Sequence, residues 1–467
     1  MTKAKSILLV NPLENIPKPY DMYPSGALVL IGTMLQNKGH NVRIVHMTAE
    51  RMTLSTLKTI VLSFEPDIVG ITMNTFQTRF AREVSRIAKE ANANTLVVVG
   101  GPHPSALKLK LFPHFPHVDV VVYGEGEHTF LEIAEAQDFR GIKGICYNNT
   151  INEPRPRATD LDYVPLPNLD LVGFREDKFT GSYPVGAHPT MDIMASRGCP
   201  YRCTFCNKSI WGTVTTFRKP EHVIREVQWL HEEYGVKEVF FQDDTLNLNR
   251  KWGEEILHLI IDKGLNKGLI YKSPFRANER LVDEGFLRLA KAAGFWLIFY
   301  GVENGNDEML ARMKKGLTVG EIRRAFEITH RVGLKTTAAF IIGMPGETRR
   351  TVEETFHLWR QLKPCASGYF PATPFPGTEL EGEVVAKGHL LETDYDKYDQ
   401  AKFIVRTDEL TKEDLERLHR SFIRRMRLVR LISDPRHILR VVSRWMKALP
   451  TLLGRILRKR NDDEPGN

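Results

Sequence analysis

Three cysteines within eight residues are the strongest chemical signal in the sequence. Cys199, Cys203 and Cys206 have the spacing C-x3-C-x2-C, and thiolates spaced in this way on one loop can converge on a metal centre. A closed iron–sulfur or zinc site normally has four ligands, so one metal position is left open here. The pattern predicts a cluster to which a substrate binds directly. A zinc knuckle without an obvious fourth ligand, or three unrelated thiols, are the alternatives.

The composition narrows the class of protein that carries these cysteines. The 467 residues exceed the size at which one hydrophobic core stops growing, so two or more domains are expected. With 42% hydrophobic and 26% charged residues, and no apolar run long enough to span a membrane, the chain is not collagen-like, disordered or a polytopic membrane protein. The apolar stretch at residues 7–10 is too short for a signal peptide, which predicts a cytoplasmic protein. In that reducing compartment, clustered cysteines favour metal or redox chemistry over disulfides.

Positive charge is concentrated near the C-terminus. The chain carries a net charge of +8, whereas residues 417–460 alone carry +13, from 14 Lys and Arg against one acid. From residue 436 onward, apolar residues at helical spacing and basic residues on the other face predict an amphipathic helix. We expect this helix to make peripheral contact with an anionic membrane. A helix docked on the body of the protein is the alternative, and no nucleic-acid partner is expected.

Short apolar runs alternate with amphipathic stretches over the first 130 residues. Strands are predicted at residues 7–10, 42–45, 68–71, 96–99 and 118–122, with helical patterns between them, as at 27–37 and 80–91. This order predicts a doubly wound parallel sheet. Glycine turns at residues 100–103 and 124–127 follow the fourth and fifth strands. Open parallel sheets bind ligands at that edge.

A second alternating series follows a proline-rich stretch. Strands are predicted at residues 192–195, 239–242, 269–273, 296–300, 337–342 and 369–372. Six such units predict an α/β barrel, full or partial, with its chemistry at the carboxyl ends of the strands. The predicted organisation is an N-terminal sheet domain (1–140), a linker or extension (141–190), a barrel (191–400) and a helical basic C-terminal region (401–467).

From residue 192 to residue 380 the sequence resembles the radical S-adenosylmethionine (SAM) superfamily. The resemblance rests on the cysteine motif, with Phe205 in its aromatic position. In that family three cysteines hold a 4Fe–4S cluster, SAM occupies the fourth iron, and SAM is cleaved reductively to methionine and a 5′-deoxyadenosyl radical. The resemblance implies Cys199, Cys203 and Cys206 as metal ligands. It also implies a 4Fe–4S cluster and SAM as cofactors, and an external reductant such as flavodoxin or ferredoxin.

Residues at other predicted strand ends match positions with which this family binds SAM. Asp243 and Asp244 take the place of the motif near the SAM amino group, where a carboxylate suits an ammonium ligand; a helix cap or solvated turn is the alternative. Arg276 is a candidate for binding the SAM carboxylate, or else a surface ion-pair partner. Glu303 matches the segment that contacts the ribose, and Gly343 begins the loop on the adenine side.

Residues 1–135 resemble the cobalamin-binding domain of one radical SAM subfamily. The matching segments lie at residues 24–26, 70–74, 100–103 and 122–127, and backbone amides at such turns suit the nucleotide tail of the cofactor. The implied contacts are Gly70, Thr72, Gly100, Gly101, Gly124 and Glu125. Residues 11–23 lack the motif D-x-H-x-x-G, so we expect cobalamin without a histidine ligand to cobalt. A sheet that has lost the cofactor is the alternative, and His46 and His103 are interpreted as ordinary turn or strand-end residues.

Two further cysteines lie outside the motif. Cys146 falls in an apolar, strand-like run and is predicted to be structural. Cys365 precedes the sixth strand of the second series. A buried, inert thiol is the main prediction for Cys365, and a hydrogen-atom donor or second nucleophile in the active site is the alternative.

These features predict a cobalamin-binding radical SAM enzyme that modifies an unactivated carbon of a small-molecule or lipid-like intermediate. Methyl transfer is the leading reaction. The alternatives are radical cyclisation, oxidation or rearrangement, as in the anaerobic porphyrin cyclases, and, from another class, a cluster-bearing sensor without turnover. No catalytic residue is assigned beyond the cofactor contacts, because fold and cofactor motifs do not encode the substrate pocket.

Overall fold

The computed structural model describes residues 3–16 and 22–433. The chain divides into two compact units, Met1–Lys412 and Glu413–Asn467. In the C-terminal region the structure describes a helix over Lys412–Ser433. The predicted amphipathic helix from residue 436 onward lies outside the described residues. Among the described helices, none is both long and apolar enough to cross a bilayer.

The N-terminal sheet has seven strands. They are β1 (Ser6–Asn11), β2 (Asn41–His46), β3 (Ile68–Thr72), β4 (Leu96–Gly100), β5 (Val120–Val122), β6 (Ile145–Tyr147) and β7 (Thr150–Ile151). They lie in the order β2-β1-β3-β4-β5-β6-β7, with β1 to β5 parallel and the last two antiparallel. The predicted parallel sheet is confirmed. Its strands are continuous Val and Ile runs because helices cover both faces.

Strands β6 and β7 extend this sheet into the stretch predicted as a linker. Val121 of β5 pairs with Cys146 of β6, so the sheet continues beyond residue 140. Cys146 is fully buried in the sheet core, and burial raises the pKa of its thiol to about 11, as expected for a structural cysteine. The predicted domain limits stay a prediction, because both sheets belong to one compact unit.

Five helices cover the N-terminal sheet. They are α1 (Gly26–Asn37), α2 (Leu54–Phe64), α3 (Thr78–Ala91), α4 (Pro102–Leu107) and α5 (Glu127–Glu135). Helix α1 packs against α5, and α2 packs against α3. Leu8 and Val10 of β1 belong to the same core as buried residues of α2 and α3. Leu9, which alternates with them, lies on the opposite face, toward α1 and α5.

The second sheet forms a half-barrel of six parallel strands. They are β8 (Thr190–Ile193), β11 (Glu238–Phe241), β12 (Ile270–Phe275), β13 (Phe295–Glu303), β14 (Lys335–Ile342) and β15 (Ala366–Pro371). They lie in chain order from β8 to β15. Between β8 and β11, the short strands β9 (Ser196–Arg197) and β10 (Thr216–Phe217) pair antiparallel. The predicted partial barrel is confirmed.

Seven helices belong to the half-barrel. They are α6 (Pro220–Tyr234), α7 (Arg250–Asp262), α8 (Glu284–Ala292), α9 (Asp307–Arg312), α10 (Val319–Val332), α11 (Arg349–Leu362) and α12 (Glu379–Ala386). Helix α6 begins at Pro220 and ends before Gly235, which adopts φ +63°; proline and glycine are favoured at these two positions. The prediction of a buried thiol at Cys365 is wrong, because this residue is exposed at the amino end of β15. The same location removes it from the carboxyl edge, where the chemistry is expected.

A buried ion pair joins neighbouring strands of the half-barrel near their amino ends. Lys272 Nζ lies 2.6 Å from Glu238 Oε1, and both side chains are fully buried. Lys272 also donates to two backbone carbonyls, and Glu238 accepts from two backbone amides, all within residues 182–187. The pair therefore holds this segment against β11 and β12.

We expect Lys272→Met to lower the free energy of unfolding by about 3–5 kcal/mol, because the Glu238 carboxylate would be left buried without its cation. The double variant Lys272→Met/Glu238→Gln removes both charges and should recover more than half of that loss. Thermal unfolding of the three proteins side by side measures the effect. A double variant as unstable as the single one would show that the ion pair does not account for the loss.

Candidate cofactor site

Residues 198–211, here called the cysteine loop, bring the three predicted thiols near one another. Gly198 begins the loop at φ +85°, where a Cβ atom would collide with a backbone oxygen across the loop. All three cysteines are free and half-buried. Burial raises the pKa of the Cys206 thiol, and the neighbouring charges of Cys203 and Cys199 raise it further. Negative charge on one thiol is therefore felt by the others.

This donor set fits a 4Fe–4S cluster better than a single metal ion. In the part of the chain that the structure describes, no three His, Cys, Asp or Glu side chains surround one ion position. A cubane does not require that arrangement, because each cysteine binds a different iron. Cys146 and Cys365 lie elsewhere in the fold, so neither supplies a fourth thiolate. The predicted open iron position is consistent with this geometry.

The two carboxylates predicted after β11 have different surroundings. Asp243 is buried and accepts hydrogen bonds from the backbone amide of Ala195 and the hydroxyl of Ser196. Burial raises its pKa to about 7, and its partners show that it supports the segment leading into the cysteine loop. Asp244 is exposed, and its charge raises the pKa of Cys206. Asp244, and not Asp243, is thus placed beside the cysteines with room for an ammonium group.

Arg276 follows β12 and keeps one donor without a partner. Its side chain is more than nine-tenths buried, and Nε donates to Asn278 Oδ1 at 2.5 Å. Among the residues that the structure describes, Nη2 has no hydrogen-bond partner. The ring of Tyr201, which lies between the first two cysteines, stacks 3.3 Å from the guanidinium carbon. A buried guanidinium with a free N–H beside the cysteine loop fits a carboxylate ligand. The sequence contains no signal for the Tyr201 contact.

Glu303 ends β13 in the left-handed region, with φ +66°, next to a register shift between β13 and β14. Such backbone strain in a residue other than glycine is concentrated at ligand sites. Lys315 Nζ donates to Glu303 Oε1 at 2.6 Å, a partner that the sequence does not indicate. The carboxylate borders a space of about 600 Å³, here called the barrel cavity. Its lining residues include Phe205, Glu303, Ile341, Phe370, Phe375 and Gln400.

The turn after β14 is organised by a buried glutamate. Gly343 adopts φ +95°, and its backbone amide donates to Glu347. Asn304 Nδ2 donates to the same carboxyl group at 2.8 Å, so Glu347 connects the loops after β13 and β14. Burial raises the pKa of Glu347 to about 7. The role of Gly343 on the adenine side stays a prediction. The sequence alone does not indicate the structural role of Glu347.

A narrow, mostly apolar space of about 700 Å³ lies between the N-terminal sheet, α1 and α5, and is here called the glycine slot. All six residues predicted to contact cobalamin line it: Gly70, Thr72, Gly100, Gly101, Gly124 and Glu125. A Cβ atom at Gly70 would lie 2.7 Å from the Phe130 ring, and one at Gly101 would lie 2.9 Å from a backbone oxygen. Gly70 therefore keeps the slot open, whereas Gly101 permits a close approach to the backbone of Met73. Ile210 and Trp211 of the cysteine loop complete its wall.

The glycine slot adjoins a larger space, the central cavity, of about 1170 Å³. Its walls come from the carboxyl ends of both sheets, with Asn74 on one side and Gln242 on the other. Thr72 lines both the slot and the central cavity. Phe370 and Gln400 line both the central cavity and the barrel cavity. The three spaces are therefore neighbours, in the order glycine slot, central cavity and barrel cavity.

The two strand-end histidines have protein partners. His46 borders the central cavity, but its Nε2 lies 2.8 Å from Asn11 Nδ2, and its Nδ1 accepts from the Ala49 amide at 3.2 Å. His103 lies 3.0 Å from the Thr75 hydroxyl through Nδ1 and borders a different pocket. Burial lowers the pKa of His46 to about 4 and that of His103 to about 3, so both rings are neutral near pH 7.

One arginine joins the cysteine loop to the glycine slot. Arg197 ends β9 and donates through Nη1 to Glu125 Oε1 at 2.9 Å and through Nη2 to Glu127 Oε1 at 2.8 Å. All three side chains are at least nine-tenths buried. Glu125 also accepts from the Ala158 amide at 2.7 Å. This arrangement is here called the Arg197 bridge. Because the Glu125 carboxylate already has these protein partners, the predicted contact of Glu125 with cobalamin is supported only by the position of Glu125 in the slot wall.

Comparisons with known proteins agree with this geometry. Residues 193–358 match the radical SAM superfamily, and residues 17–134 match the B12 binding domain. The chain is 34% identical to an uncharacterized methyltransferase of Pyrococcus horikoshii, over 90% of this chain and 92% of that protein. It is 28% identical to the anaerobic magnesium-protoporphyrin IX monomethyl ester cyclase of Cereibacter sphaeroides, over 75% of this chain and 58% of the cyclase.

A solved structure shows the same fold. The radical SAM methyltransferase TsrM from Kitasatospora setae, determined with cobalamin and a 4Fe–4S cluster bound, superposes with a TM-score of 0.67 at 22% identity, covering 82% of this chain and 78% of TsrM. The two domain matches, the extended identity to the Pyrococcus protein and the fold point to the same conclusion. The chain belongs to the radical SAM superfamily, in the group of enzymes that carry an N-terminal B12-binding domain and use a 4Fe–4S cluster, SAM and cobalamin.

Proposed function

We propose that this enzyme transfers a methyl group derived from SAM to an unactivated carbon of a small molecule, with cobalamin as the intermediate carrier. The observation that carries the proposal is the order of the three cavities. A substrate held where the central cavity meets the barrel cavity would lie between a corrin ring in the central cavity and the cofactors beside the barrel cavity. Methyl donor and radical source would then both lie close to the reacting carbon, and such positioning of the reactants accelerates a reaction.

Each candidate residue has a role under this proposal. Cys199, Cys203 and Cys206 hold the cluster, and the free Nη2 of Arg276 binds the SAM carboxylate. Asp244 faces the SAM amino group, and Glu303 accepts from a ribose hydroxyl. The bound cofactors supply the radical and the methyl group. The chain's own residues orient them, and the three phenylalanines of the barrel cavity restrict water access to a reactive radical.

On the N-terminal side, the glycine slot holds the nucleotide tail of cobalamin. Thr72 and Asn74 border the central cavity, where the corrin ring would lie. Cobalamin without a histidine ligand to cobalt stays a prediction, supported by the protein contacts of His46. Contact of residues 436–467 with an anionic membrane, and a lipid-like substrate, stay predictions from the charge pattern alone. The reductant, of the flavodoxin or ferredoxin type, is expected from the family's chemistry.

A radical cyclisation without methyl transfer is the second candidate, favoured by the 28% identity to the Cereibacter cyclase. Anaerobic incubation of the reconstituted enzyme with reductant, cobalamin, cell extract and SAM labelled in its methyl group distinguishes the two. Methyl transfer predicts a small molecule that carries the label, together with 5′-deoxyadenosine. Deoxyadenosine with a changed but unlabelled metabolite would establish the cyclase type of reaction and contradict the proposal.

Replacing any one of Cys199, Cys203 and Cys206 with Ala should abolish 5′-deoxyadenosine formation, because two thiolates do not hold the cubane with its open iron. The fold should survive, since the N-terminal sheet has its own core. The matched control is Cys365→Ala, at the opposite end of the half-barrel, which should cleave SAM at the wild-type rate. Normal deoxyadenosine yield from any of the three loop variants would contradict the cluster assignment.

We expect Arg276→Gln to weaken SAM binding roughly ten- to a hundredfold, the cost of losing a charged hydrogen bond in a buried site. Equilibrium dialysis with the reconstituted enzyme measures this dissociation constant. Arg280→Gln is the control, because Arg280 donates to the hydroxyl of the same Tyr201 at 3.1 Å but is exposed. An unchanged SAM affinity in Arg276→Gln, or an equal loss in both variants, would remove Arg276 from the SAM site.

A further inference from the structure

The cysteine loop contacts both cofactor sites along one short stretch of chain. Its first part carries Cys199, Cys203 and Cys206. Four and five residues after the last cysteine, Ile210 and Trp211 form part of the wall of the glycine slot. A change in the loop at the cluster therefore reaches the slot through only a few residues of connected backbone.

The two ends of this loop are held by buried or half-buried arginines. Before the first cysteine, Arg197 reaches across to Glu125 and Glu127, at the turn that opens α5 beside the slot. At the far end, Arg157 Nη1 donates to the backbone oxygen of Trp211 at 2.7 Å, and its Nη2 donates to that of Arg197 at 3.3 Å. The loop and the slot wall thus form one connected network.

The hydrogen bonds of the Arg197 bridge depend on the position of β9 relative to the start of α5. Glu125 and Glu127 are two residues apart, and each is about nine-tenths or more buried. Their charges repel each other, and a cation between them offsets this repulsion. A planar guanidinium donates to two carboxylates at fixed angles, so the two hydrogen bonds together restrict the placement of β9 relative to the start of α5. That placement also sets where the following cysteines begin.

We propose that Arg197 is a positioning residue that couples the two cofactor sites energetically. Cluster assembly orders the cysteine loop, and the ordered loop completes the wall of the glycine slot, so each cofactor strengthens the binding of the other. The inference rests on the proposed function only in taking cobalamin as the occupant of the slot. Arg197 touches neither cofactor in this account and acts through Glu125, Glu127 and the loop backbone.

The test compares cobalamin binding by the full-length chain in its cluster-free and its reconstituted form. Titration of each form with cobalamin under anaerobic conditions gives two dissociation constants, whose ratio measures the coupling. We expect the reconstituted wild-type protein to bind about tenfold more tightly. In Glu127→Gln the ratio should fall below about threefold, because a neutral amide accepts a weaker hydrogen bond and holds Arg197 less firmly in the shared position.

Glu226→Gln is the matched control. Glu226 is also a buried carboxylate on a helix, paired at 2.5 Å with the buried Arg218, but it does not line the slot. This variant should keep the tenfold ratio even if its overall stability falls. By reciprocity, cobalamin should lower the amount of iron lost to a chelator at equilibrium in the wild type and in Glu226→Gln, but not in Glu127→Gln.

Arg197→Lys provides a second variant that keeps the charge but cannot donate to both carboxylates at once, and it decides the question if Glu127→Gln does not fold. A wild-type ratio of one, or a wild-type ratio retained in both bridge variants, would overturn the coupling while leaving the proposed function intact. If neither wild-type form binds cobalamin, the proposed function itself fails, and this inference fails with it.

Discussion

The organisation of the whole site depends on one buried arginine shared by two carboxylates. The Arg197 bridge crosses from the half-barrel to the N-terminal sheet, with no more than about a tenth of any of its side chains exposed. Breaking one partner of such a buried group is costly, since the remaining charge has no water to stabilise it. The bridge therefore holds the carboxyl ends of the two parallel sheets together. The central cavity, whose walls come from both sets of strand ends, lies between them.

Parallel sheets explain why the functional residues lie at strand ends and why those residues are unusual. Side chains within the strands are packed in the hydrophobic cores, so residues in the turns after the strands bind the ligands. There the chain contains a glycine at φ +109° whose Cβ atom would collide with a backbone oxygen, a glutamate at φ +66° and an arginine with an unused buried donor. Each of these features costs stability in an empty protein and is compensated when a ligand of matching shape or charge is bound.

Features that depend on local residue spacing could be predicted from the sequence. Features that depend on contacts between residues far apart in the chain could not. Cysteine spacing, valine-rich runs and strand-end glycines identified the cluster loop, both sheets and the six slot residues, because each pattern is complete within a few positions. The sequence around each residue does not show that Glu125 accepts a hydrogen bond from Arg197 or that Asp243 accepts one from Ser196. It also does not show that residues 145–151 pair with the first sheet. Cys365 was misplaced because burial at the amino end of a strand depends on what packs there, which spacing alone does not report.

In the proposed arrangement cobalamin occupies the glycine slot and the central cavity, and the cluster with SAM lies beside the barrel cavity. A crystal of the enzyme loaded with cobalamin and cluster, with anomalous diffraction recorded at the iron and cobalt absorption edges, tests it most directly. We expect iron beside Cys199, Cys203 and Cys206, cobalt in the central cavity near Thr72 and Asn74, and the nucleotide tail inside the glycine slot. Cobalt outside the central cavity, or a nucleotide tail outside the slot, would contradict it.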